Sequence, residues 1–414
     1  MTMLLPWHAS TLALTGNESY FYPSYGLSAI ISQMVELPEI ISFAKIRASA
    51  ASVGNEVPFN RINPQNTVTA AGAVNRNTQK PFTDLKPELI ETTEFGIDVR
   101  FLNNKIGVDL AIYNIKSTDQ FLSLAAPSGS GFTTYFVNAG EIVNKGVELS
   151  LSGKIIEKQN LSWTSTFNFT KNNNEVVEIH PEISSGLGTG GGDAVQSRFV
   201  AGGSIGDMYI RMHKRDAQGR ILLDDSGTPL STDHMLAGNA EPDFSIGWAN
   251  NFTLGDKFTA GFIINGKFGG EVYSHTETML NGFGVSARSG AARDAGSLSV
   301  NAATESTGAA VSSVDPVKWY TALGDRNGIG EPYVYDRTNI RLTQLSIGYN
   351  LDTSTLGLPI ESANISLIGN NLLYSAEAPF DPEVAMSTSR SNQGIDNFNL
   401  PSTRTIGMNL RLTF

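Results

Sequence analysis

The chain has 414 residues, with 29 Lys and Arg against 40 Asp and Glu for a net charge of −11, and it contains no cysteine. The acidic balance argues against nucleic acid as a partner, since phosphate binding needs clustered basic residues. The absent cysteines exclude a disulfide framework and a thiolate metal site. No apolar run approaches the roughly 20 residues of a membrane helix, but a mean hydropathy of −0.11 is uninformative about strands, whose oily and wet faces average out.

The opening residues, Met1-Thr2-Met3-Leu4-Leu5-Pro6, lack the basic stretch and small-residue cleavage site of a secretory signal. Together with the family resemblance described below, this leads to the expectation of a natural start further upstream. Residues 8–14 fit a short strand, followed by a turn at 15–18. Phe21, Pro23, Tyr25, Leu27, Ala29 and Ile31 share one phase, and Ala44, Ile46, Ala48 and Ala50 share another beyond Pro38. Segment 53–88 has no period and is predicted to be a loop.

Phe95, Ile97, Val99 and Phe101 then alternate with Glu94, Gly96, Asp98 and Arg100. Asn103-Asn104 turns the chain into Ile106, Val108, Leu110 and Ile112, a hairpin signal because Asn tolerates positive φ. After a connection at 119–139 come Val147, Leu149 and Leu151, then Leu161, Trp163, Phe167 and Phe169. Segment 173–242 is predicted to be mostly irregular, with turns at Asp216–Gly219 and Asp225–Gly227. Phe244, Ile246, Trp248, Phe252 and Leu254 resume the alternation, and Gly255-Asp256 turns it into Phe258, Ala260, Phe262, Ile264 and Phe268. Segment 272–335, rich in Ser, Ala and Gly, is again predicted to be irregular. Strands recur at 337–351, where a slip of phase between Leu342 and Leu345 predicts a β-bulge, at 363–372 and at 403–414.

In the final stretch Ile406, Met408, Leu410, Leu412 and Phe414 are apolar, while Thr405, Gly407, Asn409, Arg411 and Thr413 are small or polar. One face therefore suits lipid and the other a wet lumen. The tally is about eleven to twelve strands with connections alternating short and long. Outer-membrane barrels have that asymmetry, with short periplasmic turns and long extracellular loops. It places Phe101, Phe258, Tyr349 and Phe414 near the periplasmic rim, with Phe169 and Phe268 near the outer one, as interfacial aromatics require. The expected fold is therefore all-β, an antiparallel transmembrane β-barrel. A secreted or surface β-sandwich for ligand binding or adhesion, and a glycoside-active β-protein, are the alternatives.

Chemistry-bearing motifs are weak. Gly186-Leu-Gly188-Thr-Gly190-Gly191 lacks the flanking strand and helix of a dinucleotide site. His8, His180, His213, His234 and His275 are dispersed. Asp224-Asp225-Ser226-Gly227 departs from the register of a calcium loop. No catalytic, cofactor or metal residue is assigned. Tyr273, Trp319 and Tyr320 fall in long connections, where exposed rings could contact a substrate or a lid.

Several stretches together resemble SusC/RagA-type TonB-dependent outer-membrane transporters. They are Tyr22-Pro23-Ser24 with the run from Phe43 to Asn55, Leu85–Glu88 leading into Glu94–Asp98, and Asn138-Ala-Gly-Glu-Ile-Val-Asn-Lys-Gly-Val-Glu148. Asp336–Leu351, Gly369–Leu372, Asp381-Pro-Glu383 and Pro401–Arg404 follow in the family's order. Residues 9–19 depart from it, lacking the Arg and Asp of the corresponding turn. The resemblance implies the C-terminal half of a plugged barrel of about 22 strands, spanning 1–414, with signal peptide and plug domain outside this chain. It also implies import of glycan fragments or oligopeptides across a Bacteroidetes-type Gram-negative outer membrane. The implied partners are membrane lipid, a SusD-like surface lipoprotein closing the barrel, and TonB reached through the absent N-terminal part. Leu410, Leu412 and Phe414 then resemble the terminal signal read by the barrel-insertion machinery. Without a matching half, the outer edges, near 10–14 or 21–31 at one end and 405–414 at the other, are expected to close, pair or aggregate.

Overall fold

The computed structural model describes the chain apart from residues 1, 5–6, 10–18, 57–60, 62–63, 82–84, 128, 181–186, 192–193, 256, 326, 353–360, 384–392 and 414. It divides into two compact units, one of Met1–Lys154, Asn168–Gly186 and Val200–Gly203, the other of Ile155–Phe167, Leu187–Phe199 and Ser204–Phe414. Among the described residues, twelve strands share the order of one main sheet, and that order is the chain order. In the first unit these are Thr2–Leu4, Ser24–Ile30, Ile41–Asn55, Glu88–Phe101 and Ile106–Thr118. Glu141–Lys158 and Leu161–Glu178 run through both units. The second unit adds Phe244–Leu254, Phe258–Phe268, Asn339–Leu351, Ser362–Ala376 and Thr405–Thr413. Within each unit the ladders of the main sheet are antiparallel.

The register keeps the oily phases together. Phe95 faces Ile112, which faces Val147, and Leu367 faces both Ile347 and Met408. These side chains are not covered: Phe95 is 47% exposed, Ile112 48%, Ile347 55% and Leu410 58%. A β-sandwich would bury them against a second sheet, so their exposure rejects that alternative. At the first hairpin Leu102, Asn103 and Asn104 take φ of 51°, 56° and 63°. The two Asn accept that conformation at low cost, while Leu102 is forced into it. The bulge expected near Leu342 is present: Thr343 is skipped in the register on both sides, where Leu342 and Gln344 pair with the consecutive Ile264 and Ile263 of one neighbour and with Leu373 and Asn370 of the other. Residues 10–14 and 256 and the terminal Phe414 lie outside the described residues.

Two of the long connections, 173–242 and 272–335, are not irregular, which corrects the sequence expectation. Segment 173–242 folds into strands Leu187–Gly191, Val195–Phe199, Asp207–His213 and Ser231–Asn239 as one sheet. The Gly-rich run 187–191 is thus a strand paired with Val195–Phe199. Segment 272–335 carries helices His275–Gly282, Ala287–Asp294 and Pro316–Leu323 and strands Leu298–Thr304 and Ala310–Val314. Local chemistry starts each helix. Ser274 accepts from Glu277 N, Ser286 from Ser289 N, and Asp315 from Val317 and Lys318 N with Pro316 in the first turn. Val195, Met208, Ile210, Leu223, Tyr273, Trp319, Leu323, Ile329, Tyr333 and Ile395 share one buried core. No described helix is long and apolar enough to cross a membrane, which says nothing of strands.

Candidate functional site

The inward phase of the main sheet builds a polar wall. Strand alternation puts Arg47, Glu94 and Asp109 on that phase, opposite the oily one. Arg47 bridges both acids, Nε to Glu94 Oε1 at 3.3 Å and Nη2 to Asp109 Oδ1 at 2.9 Å. Its guanidinium crosses Gly96, where a Cβ would stand 2.5 Å from Arg47 Cζ. An amide ladder continues the wall: Tyr113 OH donates to Asn172 Oδ1 (3.2 Å), and Asn172 and Asn174 Nδ2 donate to Asn144 Oδ1 (3.2 and 2.9 Å).

The signature 138–148 now has physical content. Asn138 staples two connections, accepting from Lys86 N at 2.8 Å and donating to Lys86 O at 2.7 Å and Asp119 O at 2.9 Å. Asn144 is the acceptor of the amide ladder. Gly146 leaves room for the Tyr113 ring, which a side chain there would strike.

Cations staple the connection that leads to the last strand. Arg341 donates to Asp381 Oδ1 and Ser402 Oγ, both at 2.6 Å, and Ser402 also donates to Asp381. Lys267 Nζ lies 2.5 Å from Glu383 Oε2, and Asn339 Nδ2 donates to Glu383 Oε1 at 2.9 Å. Arg337 reaches Ala240 O at 2.6 Å and Pro382 O at 3.2 Å. Burial pushes the Asp381 and Glu383 carboxyls up, yet the hydrogen bonds from Ser402, Arg341, Lys267 and Asn339 outweigh it and hold both below their ordinary values.

In the folded connections His213 stacks on Trp319 with centroids 5.4 Å apart, and its Nδ1 lies 2.7 Å from Glu331. Arg215 Nη2 reaches the other Glu331 oxygen at 3.0 Å. The His213 bond, with help from Arg215, brings the Glu331 carboxyl down to about 2. Burial drives Asp207, Glu241 and Glu271 the other way, upward.

Tyr273, Trp319 and Tyr320 are brought together here, at 0%, 7% and 6% exposure. The sequence places them in long connections, where exposed rings would contact a substrate or a lid. They pack in the shared core, and burial raises the Tyr273 hydroxyl to about 12. Pro316, Trp319, Tyr320 and Leu323 are the buried residues of their helix, the i, i+3, i+4, i+7 face of an amphipathic turn that the sequence already displayed. Leu410 and Leu412 lie exposed on the outward phase of Thr405–Thr413.

A second feature missed from the sequence sits on the outward face. Trp163 Nε1 donates to Asn250 Oδ1, and Trp248 Nε1 donates to Ser165 Oγ, each at 2.9 Å. Ser165 and Asn250 interrupt otherwise oily phases because each indole N–H needs an acceptor where no water reaches. Among the described residues no group of three His, Asp or Glu side chains is placed to hold a metal ion.

An antiparallel ladder with one oily and one polar phase, joined by short turns and by long folded connections, is the pattern of an outer-membrane β-barrel. The chain belongs to the family described as TonB dependent receptor-like, beta-barrel, whose profile matches residues 9–255, and these barrels lie in the outer membrane. It is 26% identical to the TonB-dependent receptor P3 of Formosa agariphila over 96% of this chain and 42% of that protein. It is 22% identical to the TonB-dependent receptor SusC of Bacteroides thetaiotaomicron over all of this chain and 42% of that protein. The RagAB peptide transporter structure superposes with a TM-score of 0.71 at 17% identity, over 96% of this chain and 44% of that one. The chain thus spans about two-fifths of the length of these relatives.

Proposed function

We propose that this chain supplies the C-terminal portion of the barrel of a SusC-like TonB-dependent importer that carries glycan fragments or oligopeptides across the outer membrane. It has no catalytic role. A plug domain and the engagement of TonB belong to the part of such a protein that this chain does not span. A SusD-like surface lipoprotein is the partner at the mouth. The observation that carries the reading is the two-faced ladder, in which Arg47, Glu94, Asp109 and the Asn144 amide ladder line the phase opposite the oily one. Such a wall offers hydrogen bonds to a polar oligomer without fixing one geometry. Leu410, Leu412 and Phe414 serve membrane assembly in this reading.

The test is uptake by cells carrying the intact protein. Labelled oligosaccharides and oligopeptides are offered with and without a protonophore, against a strain lacking the protein. Accumulation of one class, abolished when the membrane potential collapses, is expected. Equal accumulation in both strains for every oligomer would remove the import reading.

A further inference from the structure

A cleft of about 480 Å³ opens on the first unit, with Phe95, Ile112 and Val147 among its lining. These three are consecutive cross-strand neighbours on the outward phase, so this part of the lining faces the membrane, while Glu94, Tyr113 and Gly146 border the cleft from the inward phase. Lys145, Lys171 and Asn114 also line it. Lys145 is the register partner of Asn114 and stands two residues before Val147. Lys171 follows Phe167 and Phe169 on the outward phase of its own strand.

The height of this cleft follows from the register. Thr93, the partner of Asn114, lies eight residues from Phe101 at the short-turn rim. At about 3.3 Å per residue that is roughly 26 Å along the strand. A tilt of about 40° reduces it to roughly 20 Å of a hydrophobic band about 25 Å tall. The cleft therefore sits at the outer-leaflet boundary. Just above it the outward face is charged and self-satisfied: Lys116 opposes Glu91 and lies 2.7 Å from Glu141.

Lys145 and Lys171 differ from Lys116, for among the described residues neither has an ion-pair partner, and both are exposed. Asn114 Oδ1 is buried without a donor. Two free ammonium groups and one unmet acceptor thus border an apolar bed at headgroup depth. Neither an acyl chain alone nor a soluble anion alone uses all of these groups. We infer that the cleft is a binding site for a phosphorylated glycolipid of the outer leaflet. Its acyl chain would lie on Phe95, Ile112 and Val147, its phosphate between Lys145 and Lys171, and a sugar hydroxyl or amide N–H would meet Asn114 Oδ1. The inference rests on the outward assignment of this face and not on what the barrel carries.

The intact protein is placed in nanodiscs of neutral phospholipid doped with diphosphoryl lipid A, and bound lipid is counted by native mass spectrometry and competition. Lys145→Gln/Lys171→Gln is expected to weaken lipid A binding about thirtyfold, the effect of losing two interfacial lysines, while leaving heat-modifiable gel migration unchanged. Lys158→Gln, at the opposite end of the same strand, is expected to leave binding as it was. Dephosphorylated lipid A is expected to bind as weakly to the wild type as lipid A does to the double variant, and inorganic phosphate to displace nothing at millimolar concentration. Equal binding by the double variant, equal binding of the dephosphorylated lipid, or displacement by inorganic phosphate would each overturn the site.

Discussion

Asn250 shows how a single residue reports its surroundings. It is 1% exposed on an outward phase, between Trp248 and Phe252, with its Oδ1 held by Trp163 and its Nδ2 without a partner. In water such an Asn would cost little; beside lipid it is kept because it satisfies an indole. Trp163→Phe and Asn250→Leu should therefore each destabilise the folded barrel, and the double variant should destabilise it by less than the sum. The coupling expected is about 1 kcal/mol, the scale of hydrogen bonds measured inside membranes, read by denaturant unfolding in lipid. Additive effects would mean that this hydrogen bond contributes nothing. Glu331 makes a prediction about pH. Its folded value, about 2, lies below its ordinary 4.5 because His213 and Arg215 hold the charged form. Its contribution is thus fully present above about pH 4.5 and is lost as pH falls toward 2. Asp207, Glu241 and Glu271, raised by burial, oppose this, so the comparison must be with Glu331→Gln. Hydrogen exchange at the His213 amide, which donates to Glu331 at 2.9 Å, should lose protection across that window in the wild type. In Glu331→Gln that protection should be weak and flat. Parallel profiles would remove Glu331 as the cause.

At the scale of the element, Thr405–Thr413 sets the faces against each other. Leu410 opposes Ile365 and Asn409 opposes Ser366. Leu410→Asp should reduce folded protein in the outer membrane sharply, since a carboxylate near mid-membrane costs somewhat less than the roughly 2–4 kcal/mol of a basic residue. Asn409→Asp, facing the wet side, should assemble almost as the wild type does, and equal losses in a heat-modifiability assay would mean that the faces are misassigned. This strand was legible in the sequence because lipid on one side and water on the other impose a strict period of two. The same cause exposed the hairpin at Asn103-Asn104 and the bulge beyond Leu342. The connections were opaque for the complementary reason. Asp207–His213 reads buried at 207, 208, 210 and 213, because protein covers both of its sides and the period vanishes. The next strand in the chain, Ile221–Leu223, has three residues, too few for a pattern. Helix Pro316–Leu323, in a segment predicted to be irregular, does carry sequence signals in its Asp-Pro start and its apolar spacing. The staples at Asp381 and Glu383 were visible as a motif, but pairing them with Arg341 and Lys267, 40 and 116 residues away, required the register.

The molecule as a whole obeys two solvents. Among the described residues the outward face of the main sheet leaves large apolar side chains such as Phe95, Ile112, Ile347 and Leu410 uncovered by protein, so it takes its stability from lipid and from backbone ladders that leave few polar groups unmet. The folded connections instead have a water-type core in which Leu323 is 1% exposed and Tyr273 and Tyr333 are sealed completely. Two stabilities of different origin should fail separately. Leu323→Ala leaves a cavity in that core, where such a change costs about 2–5 kcal/mol. The main sheet, with no side chain in that core cluster from its outward phase, should not register the loss. In the intact protein in detergent, limited proteolysis of Leu323→Ala should cut within 187–240 and 271–336 at protease levels that spare the wild type. Migration of the unheated protein as a compact band should persist. Uptake should fall even though the barrel remains, because in the import reading the outer layer shapes the mouth against its lid. If Leu323→Ala abolishes the compact band together with protease resistance, the outer layer and the barrel fold as one cooperative body, and the separation drawn from their two kinds of burial is wrong.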